Sequence, residues 1–211
     1  MSRDTTSRSG RKHGHRLFAA FWEWLTRHEG EEERALRREV VSGATGRVLE
    51  LGVGVGTNWE HLPAGIEYVG IDPDAYMLER AQKHAIEAGR QMTLEPAMAE
   101  DLPFESGSFD TVLVTLTCCT VTDQSRALAE ALRVLRPGGR LLFLEHVRPE
   151  GRVRGRLMDA ITPVWRRAGG GCQPNRRTLD AIRSSGFAVT ELKETQLKGL
   201  PLVMGTAVKP G

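Results

Sequence analysis

The chain has 211 residues, 40% of them hydrophobic and 27% charged, which suits one globular domain with a sizeable core. No apolar run approaches the ~20 residues that cross a bilayer, and no secretory signal pattern is visible. A formal net charge of +2 without a basic, aromatic-interleaved stripe gives no case for nucleic-acid binding, and three cysteines make no disulfide framework, so a cytoplasmic setting is expected.

Residues 1–16 carry Arg3, Arg8, Arg11, Lys12 and Arg16 among small polar residues, so a mobile basic tail is expected. The aromatic stretch 17–25 that follows is apolar on most faces as a helix. Three readings stand: a lid over a ligand site, packing on the sheet, or an interfacial helix. In the last, residues 1–25 make peripheral contact with a membrane, the tail attracting anionic lipid. A charged helix is expected over 31–41, and Ser42–Gly46 leads into a first strand at 47–51. Residues 17–46 thus form an N-terminal helical lid segment ahead of the main domain, 47–211.

Further strands are expected at 66–71, 91–95, 109–115 and 140–146. Helices are expected at 75–88 and 124–135, the latter stopped by Pro137-Gly138-Gly139, and at 152–167 and 176–185. The segments 187–194 and 201–209 read as a closing antiparallel pair. The βαβ alternation predicts an α/β fold with a mostly parallel sheet and helices on both faces. Ligands then bind beyond the C-terminal ends of the strands, at the topological switch point.

The sharpest motif is Arg47-Val48-Leu49-Glu50-Leu51-Gly52-Val53-Gly54-Val55-Gly56-Thr57. It reads as a buried strand, a side-chain-free turn and a helix start. The turn's amides and the helix N-terminus favour a carboxylate or other anion. A dinucleotide fingerprint needs G-x-G-x-x-G, and neither frame fits: Thr57 and Trp59 occupy the third-glycine positions, which argues against a nicotinamide dehydrogenase. Downstream, Asp72-Pro73-Asp74 follows the second strand, and Asp72 lies 20 residues beyond Gly52. That is where a ribose-binding acid belongs, while Asp74 caps the helix after it.

Taken with Ala99-Glu100-Asp101-Leu102-Pro103-Phe104, Ser108-Phe109-Asp110 and Leu132-Arg133-Val134-Leu135-Arg136-Pro137-Gly138-Gly139, the stretch 40–147 resembles the class I S-adenosylmethionine (SAM) dependent methyltransferases. The resemblance implies a Rossmann-like seven-stranded sheet with a C-terminal antiparallel hairpin, and SAM as cofactor. By position, Glu50 belongs to the acidic-glycine motif, and Gly52, Gly54 and Gly56 line the methionine end. Asp72, followed by Pro73, binds the ribose. Met77 lies beside adenine or ribose, Ala99 and Glu100 border adenine, and Thr115 and Leu116 close the pocket. One departure is Met98, where many relatives place an Asp against the adenine amino group. Within the superfamily, Thr115–Val121, Leu144-Glu145-His146-Val147 and Gly170–Arg176 resemble the ubiquinone/menaquinone C-methyltransferases and, more closely, the thiol S-methyltransferases.

Methyl transfer from a sulfonium is an in-line displacement, so alignment of nucleophile, methyl carbon and sulfur is the main requirement. A base is needed only if the nucleophile arrives protonated. His146, at the end of the fifth strand, is the candidate catalytic residue, since an imidazole changes charge near neutral pH; the alternative is a structural histidine tied to the 148–150 loop. Cys118 and Cys119 read as packing residues. Cys172 with His146 gives two ligands, too few for zinc, so no metal is expected. Asn175 reads as a helix cap, and Arg176 or Arg177 as a holder of an anionic substrate group. The expected acceptor is small or lipophilic: a thiol, a phospholipid amine or a quinone-like ring. Phospholipid N-methylation at a membrane surface and a non-catalytic SAM-binding regulator are the alternatives.

Overall fold

The computed structural model describes residues 16–211. Apart from Arg16, the basic tail expected over 1–16 lies outside the described residues. Two helices come first, α1 (Arg16–Arg27) and α2 (Glu31–Val41). Then β1 (Arg47–Leu51), β2 (Glu67–Ile71), α3 (Ala75–Glu87), β3 (Thr93–Glu95) and β4 (Phe109–Thr115) follow. The rest is α4 (Gln124–Val134), β5 (Leu135–His146), α5 (Arg152–Ala168), α6 (Thr178–Ser184), β6 (Ala188–Leu197) and β7 (Leu200–Val208).

The seven strands form one sheet in the order β3-β2-β1-β4-β5-β7-β6. The first five run parallel, and β7 lies antiparallel between β5 and β6. The chain leaves β1 towards β2 and returns on the other side at β4, so the switch point lies between β1 and β4. Period-two alternation splits the buried residues between the faces. Leu49, Leu51, Val69, Val112 and Phe143 pack with Leu128 and Ala131 of α4 and Ile182 of α6. Val48, Tyr68, Leu113 and Leu142 face the other way, onto Leu36 and Val40 of α2 and Ala81 and Ala85 of α3.

Beyond small shifts at β3, which begins at Thr93, and β6, which ends at Leu197, three expectations change. No α-helix follows the glycine turn; only a single 3-10 turn forms at Trp59–His61, before Leu62 turns extended ahead of Pro63. Strand β5 begins at Leu135, directly after α4, and runs through Pro137-Gly138-Gly139 with a register shift opposite Phe109 and Thr111. Helix α6 begins at Thr178, because Arg177 holds a non-helical backbone (ψ 62°) and the Arg176 carbonyl accepts the Arg148 N–H at 2.9 Å, while the Arg176 guanidinium is held by the Cys118 and Val121 carbonyls (2.6 and 2.7 Å). That also removes Arg176 as a free anion holder, and Asn175 bonds Asp159 (3.1 Å) instead of capping the helix.

Candidate functional site

A cleft of about 670 Å³ opens beyond the C-terminal ends of β1, β2, β4 and β5, a size that suits a cofactor-sized ligand. Glu50, Gly52, Gly54, Asp72, Pro73, Met77, Ala99, Glu100, Thr115, Leu116 and His146 all line it. Gly56 stands apart. Its φ of +88° turns the chain, and a Cβ there would lie 2.8 Å from the Trp59 indole, so its task is to let Trp59 pack beneath the loop.

Asp72 leaves β2 beside the glycine turn. Its Oδ2 accepts the Gly54 N–H at 3.0 Å and its Oδ1 the Asp74 N–H at 2.8 Å. Burial nonetheless pushes its carboxyl up to about 6, the two amide donors only partly compensating. Asp74 caps α3 as expected, accepting the Tyr76 N–H at 2.8 Å. Glu100 closes the neighbouring corner by accepting the Thr122 and Asp123 N–H groups at 2.7 and 3.1 Å.

Glu50 is 1% exposed. It accepts from Asn58 Nδ2 at 2.8 Å and from the Tyr68 hydroxyl, which in turn accepts from Trp59 Nε1 at 3.1 Å. Burial pushes the Glu50 carboxyl up to about 7 and the Tyr68 hydroxyl well above its usual range. Asn58 also donates to Thr115 Oγ1 at 2.7 Å, which ties the β1 turn to the end of β4.

Arg37 of α2 went unrecognised in the sequence, where it is one of many arginines in a charged helix. Only 5% exposed, it lines the cleft and reaches Asn58 Oδ1 and Thr115 Oγ1 at 3.3 and 3.4 Å. Its far side is paired with Glu29 (2.9 Å) and Glu33 (3.7 Å). With no helix N-terminus behind the glycine turn, this guanidinium is a full positive charge at the anion-favouring end of the cleft.

The β4 exit is strained. Leu116 holds φ +55°, rare for a side-chain-bearing residue, and its N–H donates to the Leu144 carbonyl at 2.8 Å. The Thr117 and Cys118 N–H groups both donate to Glu145 Oε1, at 2.7 and 2.8 Å. Glu145 is fully buried, and burial raises its carboxyl to about 7. The turn so fixed carries Cys119 into the cleft, where His146 and Cys172 also sit. Hydrogen bonding between the two thiols pushes Cys172 below the usual thiol range and, with burial, Cys119 well above it. The His146 ring faces Cys172, with Nδ1 3.8 Å from Sγ, rather than the 148–150 loop. Sequence counting had paired Cys172 with His146 alone; the fold adds Cys119.

Helix α1 crosses the cleft mouth. Ala19 packs with Val55 of the turn and Met77 of α3, and Phe18 and Trp22 line the cleft. Glu23 anchors it by accepting from His84 Nε2 at 2.9 Å and pairing with Arg80. Its other face leaves Leu17, Phe21, Trp24 and Leu25 exposed. Along α5, Val153, Leu157, Ile161 and Val164 are exposed as well, at helical spacing. Among the described residues no helix is long and apolar enough to cross a membrane.

Comparison with known proteins agrees with this geometry. A family model described as a methyltransferase domain matches residues 49–143. The chain is 33% identical to the thiol S-methyltransferase TMT1B of Homo sapiens, over 88% of this chain and 83% of that protein. It is 35% identical to the ubiquinone/menaquinone biosynthesis C-methyltransferase UbiE of Geobacter sp., over 54% of this chain and 51% of that one. Among solved structures, a SAM-dependent methyltransferase of Thermotoga maritima aligns with a TM-score of 0.67 at 25% identity, covering 92% and 97% of the two chains. The SAM complex of phosphoethanolamine N-methyltransferase 2 from Haemonchus contortus shares the fold, with a TM-score of 0.71 at 16% identity over 93% of this chain and 58% of that one.

Proposed function

The chain belongs to the class I SAM-dependent methyltransferases, and from that premise we propose that it methylates the sulfur of a small, lipophilic thiol. The observation that carries this reading is one cleft holding both the Gly52–Gly54 turn with Asp72 and the His146 imidazole, under the aromatic rim of Phe18 and Trp22. Likeness over most of its length to a thiol S-methyltransferase supports the same acceptor.

In this reading Asp72 accepts the ribose hydroxyls, while the bare main chain of Gly52 and Gly54, together with Arg37, receives the methionine carboxylate. Pro73, Met77, Ala99 and Glu100 flank the adenosine. Glu50 works through Asn58 and Tyr68 to hold the turn's shape, and Thr115 and Leu116 close the pocket floor. His146 stands where the acceptor's proton must leave. The protein's part is to align sulfur, methyl carbon and sulfonium, with α1 as the lid; orientation of this kind supplies about 7–11 kcal/mol in well-aligned systems.

The test is release of S-adenosylhomocysteine from SAM against a panel of aliphatic and aromatic thiols, phosphatidylethanolamine and quinol precursors. Turnover with thiols is expected. Turnover confined to the amine lipid or the quinols would overturn the acceptor assigned here.

A further inference from the structure

Three ligand-bearing side chains converge on one wall of the cleft. Cys119 comes from the turn after β4, His146 from the end of β5 and Cys172 from the loop after α5. Their ligand atoms lie within 4.8 Å of one another. The Cys172 Sγ to His146 Nδ1 separation of 3.8 Å is close to the roughly 3.6 Å expected between a sulfur and a nitrogen on one tetrahedral zinc ion.

The main chain holds these groups in place from several sides. The Gln173 N–H donates to the Cys119 carbonyl at 2.9 Å, joining the two cysteine loops, and the Cys172 N–H donates to the Gly169 carbonyl at 3.1 Å. The Thr178 hydroxyl donates to the His146 carbonyl at 3.1 Å. Arg176 spans the Cys118 and Val121 carbonyls on either side of Cys119. Two thiols and an imidazole are a donor set for zinc rather than for magnesium or calcium. All three residues line the cleft, so the cleft is where a fourth ligand would reach an ion held by them. Three protein ligands and one open position mark a catalytic zinc site; closed structural sites use four.

We propose that Cys119, His146 and Cys172 bind one zinc ion whose fourth position takes the acceptor sulfur as a thiolate. This rests on the thiol reading above and deepens it. A thiol loses its proton when it coordinates zinc, and here that proton passes to water in the open cleft. A lone pair on the bound sulfur then forms the new S–CH3 bond. The sulfonium C–S bond breaks, its electron pair stays on the sulfur of the departing S-adenosylhomocysteine, and the neutral thioether, a poorer ligand than a thiolate, leaves. His146 then acts as a ligand and need not carry the proton itself.

The test begins with full-length protein stripped of metal by a chelator and kept reduced with a phosphine. Isothermal titration with Zn2+ is expected to show one ion per chain. Co2+ should give the thiolate-to-metal charge-transfer absorption and visible bands of a tetrahedral site, a readout that needs no variant. Cys119→Ser, Cys172→Ser and His146→Ala should each weaken zinc binding by about 100-fold or more, with SAM binding retained as the check on folding. Zinc binding no tighter in the wild type than in the double cysteine variant would overturn the site. In the same panel of acceptors, thiol methylation should fall at least tenfold in the stripped enzyme and return with zinc. Undiminished thiol methylation in chelator would overturn the thiolate-binding role. Zinc binding with no thiol methylated would overturn the acceptor reading and leave the ion site standing.

Discussion

The Gly54 amide and the Asp72 carboxylate face each other across the space between β1 and β2, N to Oδ2 3.0 Å. One bare main-chain donor and one acid leaving the neighbouring strand thus share a cleft wall, and Asp72 keeps acceptor capacity for a sugar. Asp72→Asn is expected to weaken SAM binding by about 10- to 100-fold, the range for hydrogen bonds to a charged group. Isothermal titration measures it, with the thermal midpoint of the free variant as control. Unchanged affinity would remove Asp72 from the cofactor site.

The three motif glycines should separate under alanine substitution. Gly54 has φ +55° and open space within 4 Å, so Gly54→Ala costs only about 1–2 kcal/mol of stability while its methyl enters the cleft and SAM affinity falls. At Gly52 a Cβ would sit 2.6 Å from Thr117, whose hydroxyl donates to the Leu51 carbonyl at 2.9 Å. At Gly56 it would meet the buried Trp59 ring at 2.8 Å. Those two variants are expected to lose about 2–4 kcal/mol in denaturant unfolding. Equal stability losses at all three positions would refute the distinction.

Three buried acids make stability depend on pH. Burial raises Glu50 and Glu145 to about 7 and Asp72 to about 6, above ordinary carboxyl values of 4.5 and 3.8. A raised acid binds its proton more tightly in the folded state. Its contribution is therefore full below the unfolded value and is lost as pH climbs through the folded one. Each contributes on the order of 1–3 kcal/mol. The thermal midpoint of the cofactor-free protein should fall by several degrees between pH 5 and pH 8, and Glu50→Gln should flatten that slope. A midpoint that rises over this interval would contradict the burial of these groups.

Arg37 holds Glu29, Glu33, Asn58 and Thr115 at once. Arg37→Met leaves two acids beside an empty position, and about 3–5 kcal/mol of stability should be lost. Arg37→Lys keeps the charge and loses the planar fork; SAM affinity is then expected to drop about tenfold with a smaller change in stability. Equal SAM affinity in the lysine variant and the wild type would confine Arg37 to a structural part.

The exposed apolar rows of α1 and α5 suit contact with a lipid surface, the arginines of α5 adding attraction to anionic headgroups. The full chain should co-sediment with anionic liposomes. Deleting residues 1–25 or introducing Leu157→Ser with Val164→Ser should each reduce it. Failure of the full chain to sediment, or no loss on either change, would leave these rows without a membrane role.

Local sequence carried what depends on neighbours along the chain. Strand β4 runs over 109–115, as expected, and Asp74 caps α3, because a run of apolar and β-branched residues buried on both faces and a side-chain-to-amide bond two residues away are signals carried by neighbouring residues. The helix expected after Gly56 fails partly because Leu62 turns extended before Pro63, and partly for a long-range reason: Asn58 donates to Thr115 across 57 residues and, with Trp59, is drawn into the Glu50–Tyr68 network, which holds that loop in place of a helical turn.

The sequence alone therefore determined the αβ alternation, the glycine turn and the position of Asp72 at a strand exit, and through its resemblance to a known family it implied the cofactor. Tertiary structure alone decided that Arg37 meets Thr115 across 78 residues and that Cys172 meets His146 across 26. It also decided that Cys119 joins them. Strand order and crossover connections set those distances, and they follow from packing the whole sheet rather than from any stretch of neighbouring residues.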